Sequence, residues 1–511
     1  MNNSILRPLA AWTERQPDQP AVTCGDRTLT WRELDLAANC AAHELISFGV
    51  TRGRRVALLG RPSISWVVAA VAALKLGAVI CPLNERSSAS ELAHFIDKVT
   101  PQIVVAASSL RPLLDATTPS ADIDGLGSAH TPAPLPHIPA DGSAPVAIMS
   151  TSGSTGEPKG VVYSHDSLMS ALFEWCLQEP AFLRARALSV SSMAFGAGLL
   201  NGFLGPLILG GSCVYLPEWD PAVALALIRD EKITHLGATT IFYEQMAAHP
   251  EFAAADLSSL TVAFTGGNPV TSALIEAWSA KGIGLRQVYG LTESQSNATV
   301  PGVAMAMAHP EYVGIGGILN EVTLVGADEQ PCAPGEPGEV RITGPGIAAG
   351  YWLDEPLTEA TFGGGSLRTG DIGVRDEYGI RIIGRTKDII ISGGINIYAA
   401  ELERIIAEMP QVTEVAVIGV ADAEFGETPA AVVRAAGSIT PEDVVRHCRD
   451  RLAAYKAPRY VEFVDDPLPR TAGMKIRKGS LRDRYADLRN MGRGSGPQWP
   501  PEPRWPPEPQ W

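Results

Sequence analysis

No stretch of this chain gathers lysine and arginine into a block. That absence argues against nucleic acid or an anionic membrane as the main partner, because both call for a concentrated positive surface. The 511 residues carry 56 acidic and 41 basic groups, a net charge of −15, and only nine of the basic residues are lysine. Cysteine is sparse as well. Cys24, Cys40, Cys81, Cys176, Cys213, Cys332 and Cys448 include no CxxC pair and no Cys/His cluster at metal-ligand spacing, so they read as reduced, mostly buried thiols of a cytoplasmic protein. The start, Met1-Asn-Asn-Ser-Ile-Leu-Arg7, lacks the basic stretch and apolar run of a secretory leader. No uninterrupted membrane span is expected either. The most apolar segment, Trp66–Leu83, is broken by Lys75 and closed by Pro82, and reads as a buried helix running into a strand. With 45% hydrophobic and 19% charged residues, general disorder is excluded, and the length suits about three units.

What is present is an alternation of short β-branched runs with Ala/Leu-rich stretches. Arg55–Leu59, Gln102–Ala106, Val146–Met149, Ser212–Leu216 and Leu260–Thr265 read as strands of largely parallel sheets within α/β layers. Between Thr117 and Ala144 a Pro/Ala/Gly/Asp-rich stretch is either a divider between subdomains or a surface excursion. From about Asn320 short strands separated by Gly and Pro, as in Pro331-Cys-Ala-Pro-Gly-Glu-Pro-Gly-Glu339, predict a small β-rich subdomain. A compact α/β segment follows Arg385-Thr-Lys-Asp388. It comprises a hairpin around Ser392-Gly-Gly394, a helix Ala399–Met409, a strand Glu414–Val420, a helix Pro441–Ala453 and a strand Tyr460–Val464. The Trp-Pro-Pro-Glu-Pro repeats beyond Asn490 cannot form a core and read as an extended tail, either dispensable or a docking peptide.

The segment richest in chemistry is Ile148-Met-Ser-Thr-Ser-Gly-Ser-Thr-Gly-Glu-Pro-Lys-Gly-Val-Val162. An apolar run enters a loop of Ser, Thr and Gly, then Pro158-Lys159-Gly160, then another apolar run. Glycine lets backbone N–H groups approach an anion, hydroxyls add donors and lysine adds charge, so this is a phosphate-binding loop. The Walker spacing is absent.

Thr151-Ser-Gly-Ser-Thr-Gly-Glu-Pro-Lys-Gly160 resembles the signature of the adenylate-forming (AMP-binding) superfamily, in particular its acyl- and aryl-CoA ligase branch. Further motifs follow in the expected order: Gly266-Gly-Asn-Pro269, Tyr289-Gly-Leu-Thr-Glu293, Thr369-Gly-Asp371, Gly384-Arg-Thr-Lys-Asp388 with Ser392-Gly-Gly-Ile-Asn-Ile-Tyr398, and Pro469-Arg-Thr-Ala-Gly-Met-Lys-Ile476. Together they cover residues from about 20 to 490. The resemblance implies an α/β fold of the acyl-CoA synthetase type. A large N-terminal domain (1–386) of layered α/β subdomains with a small β-barrel-like subdomain would be followed by a small mobile α+β lid (387–490) and a tail (491–511).

The reaction so implied joins a carboxylate to the α-phosphate of ATP, giving an acyl-adenylate and pyrophosphate, and then displaces AMP with the thiol of coenzyme A. Both reactants of the first step are anionic, so charge must be neutralised and the groups aligned. By the resemblance, Thr292 holds the α-phosphate, and Glu293, with Thr155, binds Mg²⁺. Thr151, Ser152, Gly153, Ser154, Thr155, Gly156 and Lys159 cradle the β- and γ-phosphates. Gly267, Asn268 and Tyr289 line the adenine slot, while Asp371 accepts from the ribose hydroxyls with Arg385 nearby. Lys475 meets the reacting carboxylate and α-phosphate, a task suited to a compact charge on a long reach. Lys387 takes the hinge position, and Gly393 and Gly394 line a pantetheine tunnel where side chains would obstruct the thiol.

Phe425, Tyr455 and Arg459 align with the nucleotide end of CoA, although Phe425 and Tyr455 are equally readable as core. The tunnel would also serve a carrier protein's phosphopantetheine arm. Phe195 occupies the acyl gate, with Gly290 on the substrate side. Gly196 stands where amino-acid-activating members place an Asp, so the acid is expected to be apolar and not an α-amino acid. Gly196, Ala197, Gly198 and Gly202 either leave room for a bulky acid or serve close helix packing. One departure is Gly473-Met474-Lys475, where members commonly have Gly before the lysine. Either adenylation proceeds normally, or the protein chiefly converts a preformed acyl-adenylate into its thioester. An acyl-AMP ligase loading a carrier protein and a non-catalytic nucleotide sensor are the other readings; a homodimer is left open.

Overall fold

The computed structural model describes residues 4–486 except 129–130, 132, 134, 136–140, 153–157, 268–269, 297, 423–424 and 471–475. Two compact units divide the chain, Met1–Ile382 and Ile383–Trp511.

The first unit is built on two seven-stranded sheets and one of four strands. One large sheet runs Leu285–Gln287, Val262–Gly266, His235–Thr239, Arg186–Ser189, Ser212–Tyr215, Pro20–Cys24, Arg27–Thr30; all neighbours are parallel except the last pair. The other runs Gly350–Tyr351, Pro158–Ser164, Pro145–Ser152, Val79–Leu83, Arg55–Leu59, Ile103–Ala106, Ser120–Asp122, parallel from Pro145–Ser152 onward and antiparallel over its first three strands. Parallel strands buried on both faces read as continuous apolar runs, which is why Arg55–Leu59 and its neighbours are visible in the sequence.

The Trp66–Leu83 segment is a helix, Ile64–Lys75, followed by the strand Val79–Leu83. Ser63 caps the helix by accepting from the Trp66 N–H, and all its residues from Trp66 to Leu74 are buried. The Lys75 ammonium that interrupts the run is matched by the Asp35 carboxylate and by Asn39 Oδ1 at 2.7 Å. Among the described residues no helix is long and apolar enough to cross a membrane.

The region from 117 onward contributes Ser120–Asp122, an edge strand of the second sheet. The β-rich subdomain is the four-stranded sheet Glu321–Val325, Pro337–Thr343, Ser366–Asp376, Gly379–Arg385. Its burial alternates along Pro337–Thr343, and its inner face packs with Tyr289, Ala298 and Val313.

In the second unit the sheet runs Ile395–Tyr398, Ile389–Ser392, Gly426–Ala435, Val412–Asp422, and Tyr460–Phe463 pairs with Gly426–Ala435. Helices Ala399–Ala407 and Pro441–Arg449 cover one face through Leu402, Ile405, Val444 and Cys448; Leu468, Leu481 and Tyr485 cover the other. Both helices stop short of the ends read from the sequence. All seven cysteines are free, but only Cys81, Cys213 and Cys448 are buried; the other four are half-exposed, which corrects the expectation of mostly buried thiols. Burial pushes the Cys213 and Cys448 thiols up to about 12, so they are inert at neutral pH.

Candidate active site

The phosphate-loop motif spans an antiparallel hairpin. Strands Pro145–Ser152 and Pro158–Ser164 pair with Thr151 opposite Lys159 and Ser152 opposite Pro158. Gly153, Ser154, Thr155 and Gly156 lie outside the described residues. The buried Thr151 hydroxyl has no hydrogen-bond partner among the described residues. An orphaned donor at the mouth of such a loop fits a phosphate oxygen. The outer strand of the hairpin takes a third partner from 190 residues on, Tyr351 opposite Val161. The Tyr351 hydroxyl donates to Glu293 Oε1 at 2.7 Å, and Lys159 Nζ lies 5.1 Å from the centre of its ring.

Thr292 and Glu293 sit in a turn held through its own backbone. The Tyr163 hydroxyl donates to the Thr292 carbonyl at 2.9 Å and the Ala348 N–H to that of Glu293 at 2.8 Å. Burial and the Glu293 charge push both Tyr163 and Tyr351 upward, so both phenols stay protonated donors. The chain then passes through Gln295 (φ 54°) and Ser296 (φ 80°), two consecutive non-glycine residues in the left-handed region. Such conformations cost about 1–3 kcal/mol each and concentrate at functional sites. They bring the Ser296 carbonyl so close that a Cβ on Gly290 would stand 1.4 Å from it, so Gly290 is glycine for want of space.

Asp371 owes its aim to a bulge. Arg341 faces Arg368 and Glu339 faces Ile372, so Val340 alone opposes Thr369–Gly370–Asp371, and Gly370 takes φ 68°. Asp371 is 4% exposed and accepts from the Tyr289 hydroxyl at 2.8 Å. Gly267 is exposed at the end of Val262–Gly266 with φ 87°; Asn268 lies outside the described residues. No group of three or more His, Cys, Asp or Glu side chains able to hold a metal occurs among the described residues.

Phe195, read from the sequence as the acyl gate, is half-buried and precedes an eight-residue π-helical segment, Ala197–Leu204. The glycines here serve packing rather than room. A Cβ on Gly196 would meet Ser296 Oγ at 1.9 Å, on Gly198 the Ser192 carbonyl at 2.1 Å, and on Gly202 Ser189 Oγ at 2.2 Å. Ser189 Oγ, Ser191 Oγ and Asn201 Oδ1 are buried without hydrogen-bond partners among the described residues.

In the second unit Gly393 (φ 57°) and Gly394 (φ 81°) form the two-residue turn of the hairpin Ile389–Ser392/Ile395–Tyr398. Positive φ at both positions is what such a turn demands. Gly393 N–H donates to the Phe425 carbonyl at 2.8 Å, and a Cβ on Gly393 would meet the Phe425 ring at 3.0 Å. Arg459 stacks its guanidinium 4.1 Å from the centre of the Phe425 ring. Gly393, Phe425 and Arg459 are thus together, and Tyr455 is 44% exposed on the turn Ala454–Lys456. Arg385 ends the strand Gly379–Arg385, and Lys387 is exposed in the following turn.

Lys475 and its neighbours Gly473 and Met474 lie outside the described residues, as does the tail. The flanks of that segment are fixed. Arg470 and Ile476 form an antiparallel bridge, Arg470 pairs with Glu414 at 3.0 Å, Lys478 with Glu403 at 2.7 Å and Arg482 with Asp388 at 2.5 Å.

Sequence reasoning missed Tyr351 and Tyr163. Tyr163 ends the apolar run after Lys159, and Tyr351 lies in Gly350-Tyr-Trp352, where no polar neighbour hints at chemistry.

The chain belongs to the AMP-binding enzyme family, which matches residues 9–352, with the AMP-binding enzyme C-terminal domain matching 401–475. Within it the class is that of AMP-forming acid–thiol ligases. The long-chain-fatty-acid–CoA ligase FadD13 of Mycobacterium tuberculosis is 34% identical over 475 residues, covering 90% of this chain and 94% of that protein. A feruloyl-CoA synthase of an Amycolatopsis species is 33% identical over 491 residues, covering 93% and 99%. Among solved structures, ATP-bound MatB from Rhodopseudomonas palustris superimposes with a TM-score of 0.85 at 29% identity, covering 96% of this chain and all of that one.

Proposed function

We propose that the protein activates an apolar carboxylic acid, not an α-amino acid, with ATP and transfers the acyl group to coenzyme A. The observation that carries this reading is a cation and a carboxylate, Lys159 and Glu293, set against one tyrosine beside the phosphate-loop hairpin. Such a pair suits an ATP triphosphate and its counter-ion. Thr151, Ser152 and Lys159, with the loop residues Gly153, Ser154, Thr155 and Gly156, hold the β- and γ-phosphates, and Thr292 holds the α-phosphate. Glu293, with Thr155, holds Mg²⁺, which when bound supplies charge neutralisation for the triphosphate.

Gly267, Asn268 and Tyr289 line the adenine slot. Asp371, aimed by its bulge, receives the ribose hydroxyls, with Arg385 nearby. In the first half-reaction Lys475 steadies the acid's carboxylate as it attacks the α-phosphate. In the second, the Gly393–Gly394 turn admits the thiol while Phe425, Tyr455 and Arg459 meet the nucleotide end of CoA; the exchange turns on Lys387. Phe195 and the backbone at Gly290 bound the acid. A Cβ on Gly196 would stand 1.9 Å from Ser296 Oγ, so this position has no room for the Asp that would pair with an ammonium, which supports the exclusion of α-amino acids.

Offering ATP, CoA and a panel of alkyl and aryl acids, with hydroxylated members to probe Ser189, Ser191 and Asn201, tests the reading by mass spectrometry of the products. A CoA thioester with AMP is the expected result. Transfer to a carrier protein but not to CoA at saturation would reject the acceptor, and an absence of hydroxamate in a hydroxylamine trap with every acid would reject the activity.

A further inference from the structure

Lys159 and Glu293 carry opposite charges and contact the same side chain, yet among the described residues neither forms an ion pair with the other. Tyr351 meets both. Its hydroxyl donates to Glu293 Oε1 at 2.7 Å, and Lys159 Nζ lies over its face, 5.1 Å from the ring centre. Tyr351 is itself firmly set. Its backbone pairs with Val161, its N–H donates to Thr358 Oγ1 at 2.9 Å, its ring packs edge-on against Phe362 at 5.5 Å, and it is 7% exposed.

A flexible lysine and a glutamate brought this near would otherwise neutralise each other, and both would then be withdrawn from an incoming triphosphate. An aromatic ring satisfies each without consuming either. The face attracts the ammonium through the ring quadrupole, and the hydroxyl fixes the carboxylate's orientation.

We infer that Tyr351 is a positioning residue for the nucleotide: a spacer that keeps Lys159 and Glu293 from pairing and holds both ready for ATP and its cation. The inference rests on the proposed role of Glu293 toward Mg²⁺ and goes beyond it.

Two variants separate the hydroxyl from the ring. Tyr351→Phe keeps the face for Lys159 and loses the donor. It raises the Mg²⁺ concentration for half-maximal ATP–pyrophosphate exchange about tenfold, the size expected of a lost hydrogen bond to a charged group. Tyr351→Leu loses both, lets Lys159 close on Glu293, and additionally raises KM for ATP about tenfold or more. Thioester formation from a synthetic acyl-adenylate and CoA changes less than twofold in either variant, which a general loss of folding would not allow. Equal losses in both half-reactions, or an unchanged Mg²⁺ requirement in Tyr351→Phe with an unchanged KM for ATP in Tyr351→Leu, overturn the inference. Glu293→Gln in the same titration separates the two levels. A shift there with none in the Tyr351 variants rejects the spacer alone, whereas no shift there rejects the role of Glu293 and the spacer with it.

Discussion

Asp371 is a carboxylate with almost no water around it, and its placement depends on three residues occupying the space of one. It accepts from the Tyr289 hydroxyl, and on the proposed scheme the ribose hydroxyls donate to it as well. Asp371→Asn removes the charge while preserving shape. It is expected to raise KM for ATP by about 10- to 100-fold, the range for hydrogen bonds to a charged group, with little change in melting temperature. Titrating ATP in pyrophosphate exchange measures this. A second residue-scale effect concerns folding. The His235 imidazole is pushed down to about 3 from its ordinary 6.5, by burial first and by the Arg286 guanidinium second, and neither ring nitrogen has a hydrogen-bond partner among the described residues. Arg286 is itself matched by Glu179 at 2.7 Å. Below pH 6.5 the unfolded chain takes up a proton that the folded chain refuses until about pH 3. Stability therefore falls as pH drops through that window, by up to about 1.4 kcal/mol per pH unit. Urea unfolding at pH 7 and pH 5 should show a smaller acid loss in His235→Leu than in the parent chain.

Among the elements, the hairpin turn Gly393–Gly394 gives the sharpest expectation. Gly394 has φ 81° and, among the described residues, no atom within 4 Å of a Cβ, so Gly394→Ala meets backbone strain but no clash with them, at about 1 kcal/mol. If the turn faces the thiol, that variant slows thioester formation from acyl-adenylate severalfold and leaves adenylation near normal; the two half-reactions assayed separately decide it. How legible each element is depends on its surroundings. Arg55–Leu59 and the Trp66–Leu83 helix–strand pair are plain because their residues are uniformly apolar and bounded by turns. The strand Gly426–Ala435 escaped notice. It is central, with six consecutive buried residues, so its face alternation vanishes, and Pro429, Ala430 and Ala431 do not favour strands. The Thr369–Gly370–Asp371 motif is legible as a motif, but its bulge is not, because a bulge exists only relative to a partner strand. The small residues around Gly198 suit a roomy pocket and a tight one equally in sequence; only the distances to Ser192 and Ser189 decide for tightness. Tyr351 stayed hidden because its importance comes from what it touches 58 and 192 residues away.

For the molecule as a whole, the division near Ile382 separates Thr292, Glu293 and Asp371 from Lys387, Gly393 and Lys475. On the proposed scheme the halves of the reaction draw on different parts of the second unit. Lys475→Ala abolishes adenylation yet leaves thioester formation from synthetic acyl-adenylate largely intact. Equal loss in both would count against alternation. Pyrophosphate exchange in the unaltered protein bears on Met474 in the same way, since a rate matched by Met474→Gly removes the case for a thioesterification-only enzyme.

The two-residue strand Gly350–Tyr351 also has a bearing on synthesis. Until the ribosome has delivered it, the hairpin of the phosphate loop, complete by Ser164, presents an unmated outer strand. Nascent or truncated chains ending before Gly350 therefore expose a ready template for foreign β-pairing, and polypeptides cut there should aggregate where those extended past Arg385 stay dispersed.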